Sequence, residues 1–286
     1  MPTRREWCEP LVHRLIDEHG GQNPEAIVER YAECLRLDAG QHALPIDPAV
    51  IASCQGVRRR RADYSFAGRI LAEPNGQLVM DINQQDSLER QRFTEAHELI
   101  HPAFPGFESE LRYRLDASME RYAENREEEY LCDLGAAALL MPAELVANRY
   151  TVKGGMSDVE RLHRDAGVSI EAAANRVVAL SDEPAVMLCL TISHKPADRP
   201  ALRKGLDVPR RLRVRYALAS HLNVYVPRFK GADEGSVFCE AAVANGMCSG
   251  TTTLPGAEQA GLFRVQAKRY GNDDRERVLV IARPTA

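Results

Sequence analysis

The amino-acid sequence predicts an α+β protein in which a mixed helical and β part precedes a mostly β part. Two observations carry this prediction. Apolar residues recur at helical spacing between residues 10 and 38, whereas beyond residue 186 they alternate in strand-like runs. The chain has 286 residues, 44% of them apolar, which is enough for one or two domains with adequate cores.

The N-terminal part begins with three predicted helices. Residues 10–18 and 24–38 each carry an apolar stripe at helical spacing, and Pro24 suits the first position of a helix. A third helix is predicted from Asp47 to Cys54, with a proline near its start. Glycines between these segments end the helices.

A β-hairpin is predicted next, because Asn75-Gly76 separates two apolar runs at 64–72 and 77–83. Its pairing is either purely structural or leaves a free edge to which an extended substrate could add. Four arginines, Arg58 to Arg61, precede the hairpin. They suggest either a DNA contact or a solvated loop. The loop is favoured because the run is short and the net charge is −4.

The segment after the hairpin contains the pattern His-Glu-x-x-His. Two histidines four residues apart lie on one face of a helix, so His97 and His101 can bind one metal ion. Glu98 lies beside the first ligand, where a carboxylate can act as general base. The alternative is a helix with two unrelated histidines. The apolar stripe Phe93, Ala96, Leu99 and Ile100 supports a helix here and favours the metal site.

The ends of this helix are marked by two features. Asp86 and Glu89 have the spacing of a capping box, which predicts the helix start. Pro102 follows the second histidine and removes a helix donor, so the helix is expected to end or kink at His101.

A third metal ligand is expected from the helix that is predicted between residues 127 and 142. Glu129 enters this nearly apolar segment and is the candidate ligand. Asp133 lies one turn further on, where it can accept the Nδ1–H of a ligand histidine. A solvated acidic helix start explains Glu127 and Glu128 well but explains Asp133 poorly.

The remaining segments are less specific. Between 109 and 125, Tyr113, Tyr122 and several arginines are alternative candidates to polarise a scissile carbonyl. Residues 157–180 have helix-turn-helix spacing, but the second helix carries only Arg176, so packing is favoured over DNA reading. Residues 195–210 are rich in proline and charge and are predicted as a linker or long loop. Strands are predicted at 186–193, 212–218, 223–226, 237–242, 262–269 and 277–282.

Composition points to the cytoplasm. Seven cysteines without a Cys-x-x-Cys pair indicate reduced thiols rather than a disulfide framework. The N-terminus lacks the apolar run of a signal peptide, and no apolar stretch is long enough to span a membrane. Direct DNA binding is not expected from the acidic net charge.

Three segments in order resemble the ImmA/IrrE family of metallopeptidases. They are the stretch from Arg92 to His101, the stretch from Glu129 to Pro142, and Val168-Ser169-x-x-Ala172. The resemblance covers residues 10–185. It implies a small zincin-like domain over residues 1–150 and a helix-turn-helix-like segment over 151–185.

The family's functional residues map onto this sequence. His97 and His101 match its histidine ligands, Glu98 its catalytic base, Glu129 its acidic ligand and Asp133 the following polar position. Three positions depart from the family pattern, namely Cys132, Gly135 and Pro102. The first two place different packing around the third ligand.

The resemblance implies a zinc-dependent endopeptidase, with Mn²⁺ as the second candidate metal. Its substrate would be a helix-turn-helix (XRE-type) repressor, whose cleavage derepresses stress-response or mobile-element genes. Residues 186–286 resemble, in size and strand content, the GAF-like domain of the radiation-response members, which implies a small-molecule ligand there. The alternative is a DNA-binding or ligand-sensing transcriptional regulator with a structural or lost metal site.

Overall fold

The computed structural model describes residues 6–107, 126–271 and 276–285 of the chain. Within these residues it is a mixed α+β structure with two separate sheets, which confirms the predicted fold class. None of the described helices is long and apolar enough to cross a membrane.

The chain divides into two compact units. The first comprises residues 1–145 and 164–169, and the second comprises residues 146–163 and 170–286. The predicted boundaries at residues 150 and 185 remain predictions.

The first unit contains the predicted N-terminal helices and a small sheet. Its described elements are α1 (Pro10–Glu18), α2 (Pro24–Asp38), α3 (Pro48–Cys54), β1 (Arg58–Ala62), β2 (Gly68–Ala72), β3 (Leu78–Asn83), α4 (Leu88–Glu98) and α5 (Arg126–Leu140). Helices α1, α2 and α3 each begin with proline at the first position, and the sequence predicts a proline at or near the start of α2 and α3. Asn23 and Asp47 cap α2 and α3 through their side chains.

The sheet of the first unit has the strand order β1-β3-β2. Strands β2 and β3 are antiparallel, which confirms the predicted hairpin, although its first strand begins at Gly68 rather than at residue 64. Gly76 closes the turn with a φ of +80°, a conformation that favours glycine. Strand β2 is therefore one edge of this sheet, and β1, parallel to β3, is the other.

The interpretation of Arg58–Arg61 as a solvated loop is wrong, because these residues form β1. Their charges are matched by acids from distant positions. Arg59 and Arg61 contact the buried carboxylate of Glu95 at 2.7 and 2.8 Å. On the other face of the strand, Arg60 contacts Asp81 at 2.6 Å. A run of like charges can thus form a strand where the fold supplies the counter-charges on both faces.

Helix α4 packs on β2 and β3, and α5 packs against α4 and α2. The core between them is formed by buried apolar side chains of the sheet and of α4, namely Ile70, Val79, Met80, Ile82, Ala96, Leu99 and Ile100. The last turn of α4 and the residues that follow it to His101 hold the two-histidine pattern and are therefore part of the core of the unit.

The second unit is built on a five-stranded antiparallel sheet with the order β5-β4-β8-β7-β6. Along the chain, α5 is followed by α6 (Ala143–Val146), α7 (Gly155–Ala166) and α8 (Ile170–Ala179), which precede β4. The further elements are β4 (Ala185–Ser193), α9 (Arg199–Arg203), β5 (Arg211–Ser220), α10 (Val237–Val243), β6 (Cys248–Thr252), β7 (Phe263–Tyr270) and β8 (Arg277–Pro284). The sheet supports a mostly β C-terminal part, and its GAF-like character remains a prediction.

Two of the predicted strands are wrong. Residues 223–226 are not a strand, and residues 237–242 form α10. Phe238 and Ala241 are buried at a spacing of three, which is a helical period, and a short apolar run does not distinguish the two structures. Strand β6 was not predicted, because its sequence is small and polar.

The helix pair α7 and α8 has the predicted helix-turn-helix spacing, although α7 begins at Gly155 and not after Ser157. Helix α8 packs against β4, β5 and β8. Its arginine, Arg176, is only 5% exposed. This helix therefore contributes to a hydrophobic core and does not present a basic face to the major groove of DNA.

Candidate metal centre

The histidine pattern lies at the end of α4. Ser87 caps this helix by accepting the N–H of Arg90, so the predicted capping box at Asp86 is wrong by one residue. The α-helix ends at Glu98, and His101 opens a 3₁₀ turn that contains Pro102. The effect predicted for Pro102 is therefore confirmed, with the change of helix type starting before the second histidine.

The two histidines nevertheless remain side by side. Their rings are 5.0 Å apart between centroids and inclined by 70°, and both residues are 1% exposed. The turn from α to 3₁₀ geometry keeps Ile100 in the helical region, so His101 stays one turn below His97.

Glu129 of α5 completes a set of three donors. Its carboxylate lies 3.3 Å from His97 Nε2 and 3.9 Å from His101 Nε2. Burial raises the pKa of Glu129, but the hydrogen bond and charge of His97 and the charge of His101 outweigh it, so the net direction is down. An ionised carboxylate and two imidazole nitrogens meeting at one point is the donor set of a catalytic zinc site.

The Nδ1 atoms of the two histidines face two further carboxylates of α5. His97 Nδ1 lies 2.8 Å from Asp133 Oδ1, and His101 Nδ1 lies 2.9 Å from Glu128 Oε1. A carboxylate only accepts, so each Nδ1 carries a proton, and Nε2 is the nitrogen of each ring that can bind a metal. The contact of Asp133 is the one expected from the sequence, while its role stays a prediction.

Glu128 was missed by sequence reasoning, which placed it in a solvated helix start. It is 0% exposed. One signal was available: Glu128 lies four residues before Cys132, whose apolar surroundings indicate burial, so both lie on the same face of α5. Because a charged residue at a helix start is usually exposed, the sequence alone does not establish that Glu128 is buried.

A reciprocal pair of glutamates sets the start of α5. The carboxylate of Glu9 accepts the N–H groups of Glu127 and Glu128 at 2.9 and 3.1 Å. In return, the carboxylate of Glu127 accepts the N–H groups of Cys8 and Glu9, the latter at 2.8 Å. Glu9 thus satisfies open N–H groups at the start of α5, while Glu127 binds the backbone just before α1, and this exchange positions Glu128 and Glu129.

Cys132 also lies beside the histidines. The donor atoms of His97, His101 and Cys132 all lie within 4.8 Å of one another, and Cys132 Sγ is 3.5 Å from His101 Nδ1. Burial, followed by the charges of Glu128 and Glu129, raises the pKa of the Cys132 thiol well above its usual range. A metal binds the thiolate, and the Nδ1 side of His101 is occupied by Glu128. The chemistry therefore favours Glu129 over Cys132 as third ligand.

Glu98 is 1% exposed and lies on the side of the histidines that faces the sheet, with Oε2 3.9 Å from His101 Nε2. Strand β2 passes directly beside it. A Cβ at Gly68 would lie 3.2 Å from Glu98 Oε1 and 2.3 Å from Thr94 Cγ2. Gly68 is therefore required by the close approach of the edge strand to Glu98.

Two other contacts hold α4 and α5 in place. Arg92 donates to the carbonyls of Ile46, Ala166 and Gly167 at 2.7 to 3.1 Å. A Cβ at Gly135 would meet Ile100 at 2.9 Å, so this glycine lets α5 approach the end of α4 closely. The first contact holds α4 against the chain at residues 46 and 166–167, and the second fixes the end of α4 relative to α5, which carries Glu129. The candidates Tyr113 and Tyr122 lie outside the described residues.

The fold and the donor set together define a metallopeptidase-type domain of the His-Glu-x-x-His class. Residues 55–178 match the model of the IrrE N-terminal-like domain. The radiation response metalloprotease IrrE of Deinococcus deserti is 34% identical over 124 residues, which are 43% of this chain and 43% of that protein. Residues 55–178 are thus similar to a domain of the ImmA/IrrE family.

A solved structure described as a Mycobacterium tuberculosis transcriptional regulator has a similar fold. The TM-score is 0.58 at 13% sequence identity, and the match covers 95% of this chain and 79% of that one. At this identity the similarity concerns the fold alone.

Proposed function

We propose that this protein is a zinc-dependent endopeptidase that cleaves a helix-turn-helix transcriptional repressor in the cytoplasm. The observation that carries the proposal is the convergence of His97 Nε2, His101 Nε2 and the Glu129 carboxylate, with both Nδ1 atoms held by further carboxylates. This arrangement orients two neutral imidazoles toward a single point.

The donor set fits a zinc ion, and Mn²⁺ is the second candidate. Two nitrogens and one carboxylate leave a position open in a tetrahedral site, as in catalytic zinc centres. When bound, the metal would act as a Lewis acid toward the peptide carbonyl and toward water. His97, His101 and Glu129 would hold it, because their donor atoms face one another in the core of the first unit.

The other residues of the site have separate roles. Glu98 would accept a proton from the attacking water and return it to the leaving amine, as a general base and then a general acid. Its burial at 1% exposure keeps bulk water away from this transfer. Asp133 and Glu128 would hold the imidazoles in the tautomer that leaves Nε2 available.

The substrate would bind along β2. This strand is an edge of its sheet, and its Gly68 lies against the Glu98 carboxylate. An extended peptide that added to this edge would lie beside Glu98 and could hydrogen-bond to the open side of β2. The edge is short, five residues, so it selects a short extended segment of the substrate.

The class of substrate is inferred from the family. Similarity to a radiation response metalloprotease supports a role in the control of stress-response genes. The substrate would be a repressor that exposes a segment in extended conformation. Its cleavage would derepress stress-response or mobile-element genes.

The test is co-expression with a helix-turn-helix repressor encoded beside the gene, followed by mass spectrometry of the products. Glu98→Ala should abolish cleavage while bound zinc and folding are retained. Glu89→Ala changes an acid at the other end of the same helix and should leave cleavage intact. Cleavage that persists in Glu98→Ala would show that the assignment of the base is wrong.

A further inference from the structure

The second unit contains a cavity of about 390 Å³ that the metal centre does not use. All the residues that line it belong to this unit. Its floor is the face of β6, β7 and β8, and one wall is the segment that leads into α7. The polar and charged side chains of the lining are Lys153, Ser249, Thr251, Arg264, Gln266 and Arg283.

Two arginines lie opposite each other in this cavity. Arg264 of β7 and Arg283 of β8 are direct cross-strand partners, so their side chains leave the sheet on the same face. Like charges in this position destabilise a sheet. Among the described residues neither arginine has an ion-pair partner, in contrast to Arg59, Arg60 and Arg61 of the first sheet. The sheet here retains an uncompensated positive pair.

Hydroxyl groups extend the same row. Thr251 of β6 is the register partner of Arg264, and Ser249 is the partner of Gln266 two residues along. Both hydroxyl residues are exposed to the cavity. Threonine, arginine and arginine therefore follow one another across three strands, and all three side chains can donate hydrogen bonds.

The start of α7 forms part of the cavity wall. Gly155 is its first residue, with a φ of +59°, and a Cβ there would lie 1.9 Å from Gln266 Oε1. Gln266 Oε1 also accepts the N–H of Met156 at 2.9 Å. The N-terminal end of a helix, which carries a partial positive charge, is thus held against the cavity wall.

Two acids lie near the wall of this site. Asp158, in the first turn of α7, accepts the N–H of Thr151 and pairs with Arg161. Glu183 pairs with Lys153, which reduces the charge contributed by that lysine. It lines a neighbouring cavity of about 530 Å³ that shares Arg283. The two sheet arginines remain the charges that a ligand would meet.

We propose that this cavity binds a small ligand with a phosphate group, as a phosphate monoester of about nucleotide size. A phosphate has enough acceptor oxygens for two guanidinium groups and the neighbouring hydroxyls, and arginine binds it in a bidentate manner. The volume is within the ~300–1,000 Å³ of small-molecule sites and far exceeds that of a phosphate ion, so it accommodates an organic group as well. The proposal is independent of the peptidase activity.

The test uses the purified full chain and isothermal titration calorimetry with inorganic phosphate, AMP, adenosine and acetate at matched ionic strength. Phosphate and AMP should bind, and adenosine and acetate should bind at least ~10-fold more weakly. In the double variant Arg264→Gln/Arg283→Gln, AMP binding should weaken about 100-fold, since each charged hydrogen bond contributes roughly 10-fold. Arg211→Gln, an exposed arginine at the opposite edge of the sheet, is the matched control.

A measurement without ligand separates a binding role from a structural one. Removal of the opposed charges should leave the melting temperature of the double variant equal to or above that of the wild type. The proposal is overturned if neither phosphate nor AMP binds, if adenosine binds as well as AMP, or if the double variant binds as tightly as Arg211→Gln. Binding of a DNA duplex alone would assign the surface to nucleic acid and would also overturn it.

Discussion

Glu128 offers the sharpest test of how the metal centre is held. Its carboxylate is fully buried and lies 2.9 Å from His101 Nδ1. Substitution by glutamine keeps the shape and one acceptor oxygen but removes the charge, which roughly halves the strength of such a hydrogen bond. Loss of a residue that orients a ligand histidine lowers metal affinity ~10- to 100-fold, or ~1.4 to 2.8 kcal/mol.

We expect Glu128→Gln to fall at the weaker end of that range, with zinc bound about 10-fold less tightly. Glu128→Ala should fall at the stronger end, about 100-fold, because His101 Nδ1 then faces only the weak acceptor Cys132 Sγ at 3.5 Å. The assay is competition for zinc with a chromophoric chelator, and circular dichroism checks that each variant is folded.

Glu144→Gln is the matched control for this experiment. It neutralises an exposed acid of the following helix, α6, whose contact is with Arg36 rather than with a histidine. It should leave zinc affinity unchanged. Equal zinc affinity in Glu128→Gln, Glu128→Ala and the wild type would refute the role of Glu128 in orienting His101.

Two further predictions concern packing and thiol chemistry. Gly68→Ala should lower the free energy of unfolding in urea by ~1–3 kcal/mol and should also lower peptidase activity. The reason is that the added methyl group would overlap Thr94 and displace Glu98. Unchanged stability and activity would contradict the close approach of β2 to α4. Burial raises the pKa of Cys189 to about 12. Iodoacetamide at about pH 8 should therefore modify the exposed Cys34 quickly and the buried Cys189 only after unfolding. Peptide mass spectrometry measures the modification of each cysteine. Rapid labelling of Cys189 in the folded protein would contradict the burial of this residue in β4.

Local features of the chain were predicted well, because their causes are local. Proline after Asn23 sets the start of α2, and Asn75-Gly76 sets the turn of the hairpin. In each case the residues that decide the structure lie within one turn of the element. The His-Glu-x-x-His spacing belongs to the same class, since a helical turn alone brings His97 and His101 together.

The wrong predictions concern segments whose structure depends on residues that are distant in the sequence. Arg58–Arg61 was interpreted as a loop because its counter-charges, Glu73, Asp81 and Glu95, come from later elements. The apolar run at 237–242 is short enough to form either a helix or a strand, and packing against the sheet selected the helix. Local sequence contains neither kind of information.

The sequence by itself determined the chemistry available to this protein: two histidines and a glutamate at helical spacing, and a second acidic helix to complete them. Only the tertiary structure decided which acid faces the Nε2 atoms of the histidines and which acid binds an Nδ1 atom. Glu129 faces the Nε2 atoms, whereas Glu128, its immediate neighbour, is buried behind His101. Adjacent residues on a helix point about 100° apart, so the choice depends on how α5 is rotated against α4. The glutamate exchange at its start and the close contact at Gly135 hold α5 in that position.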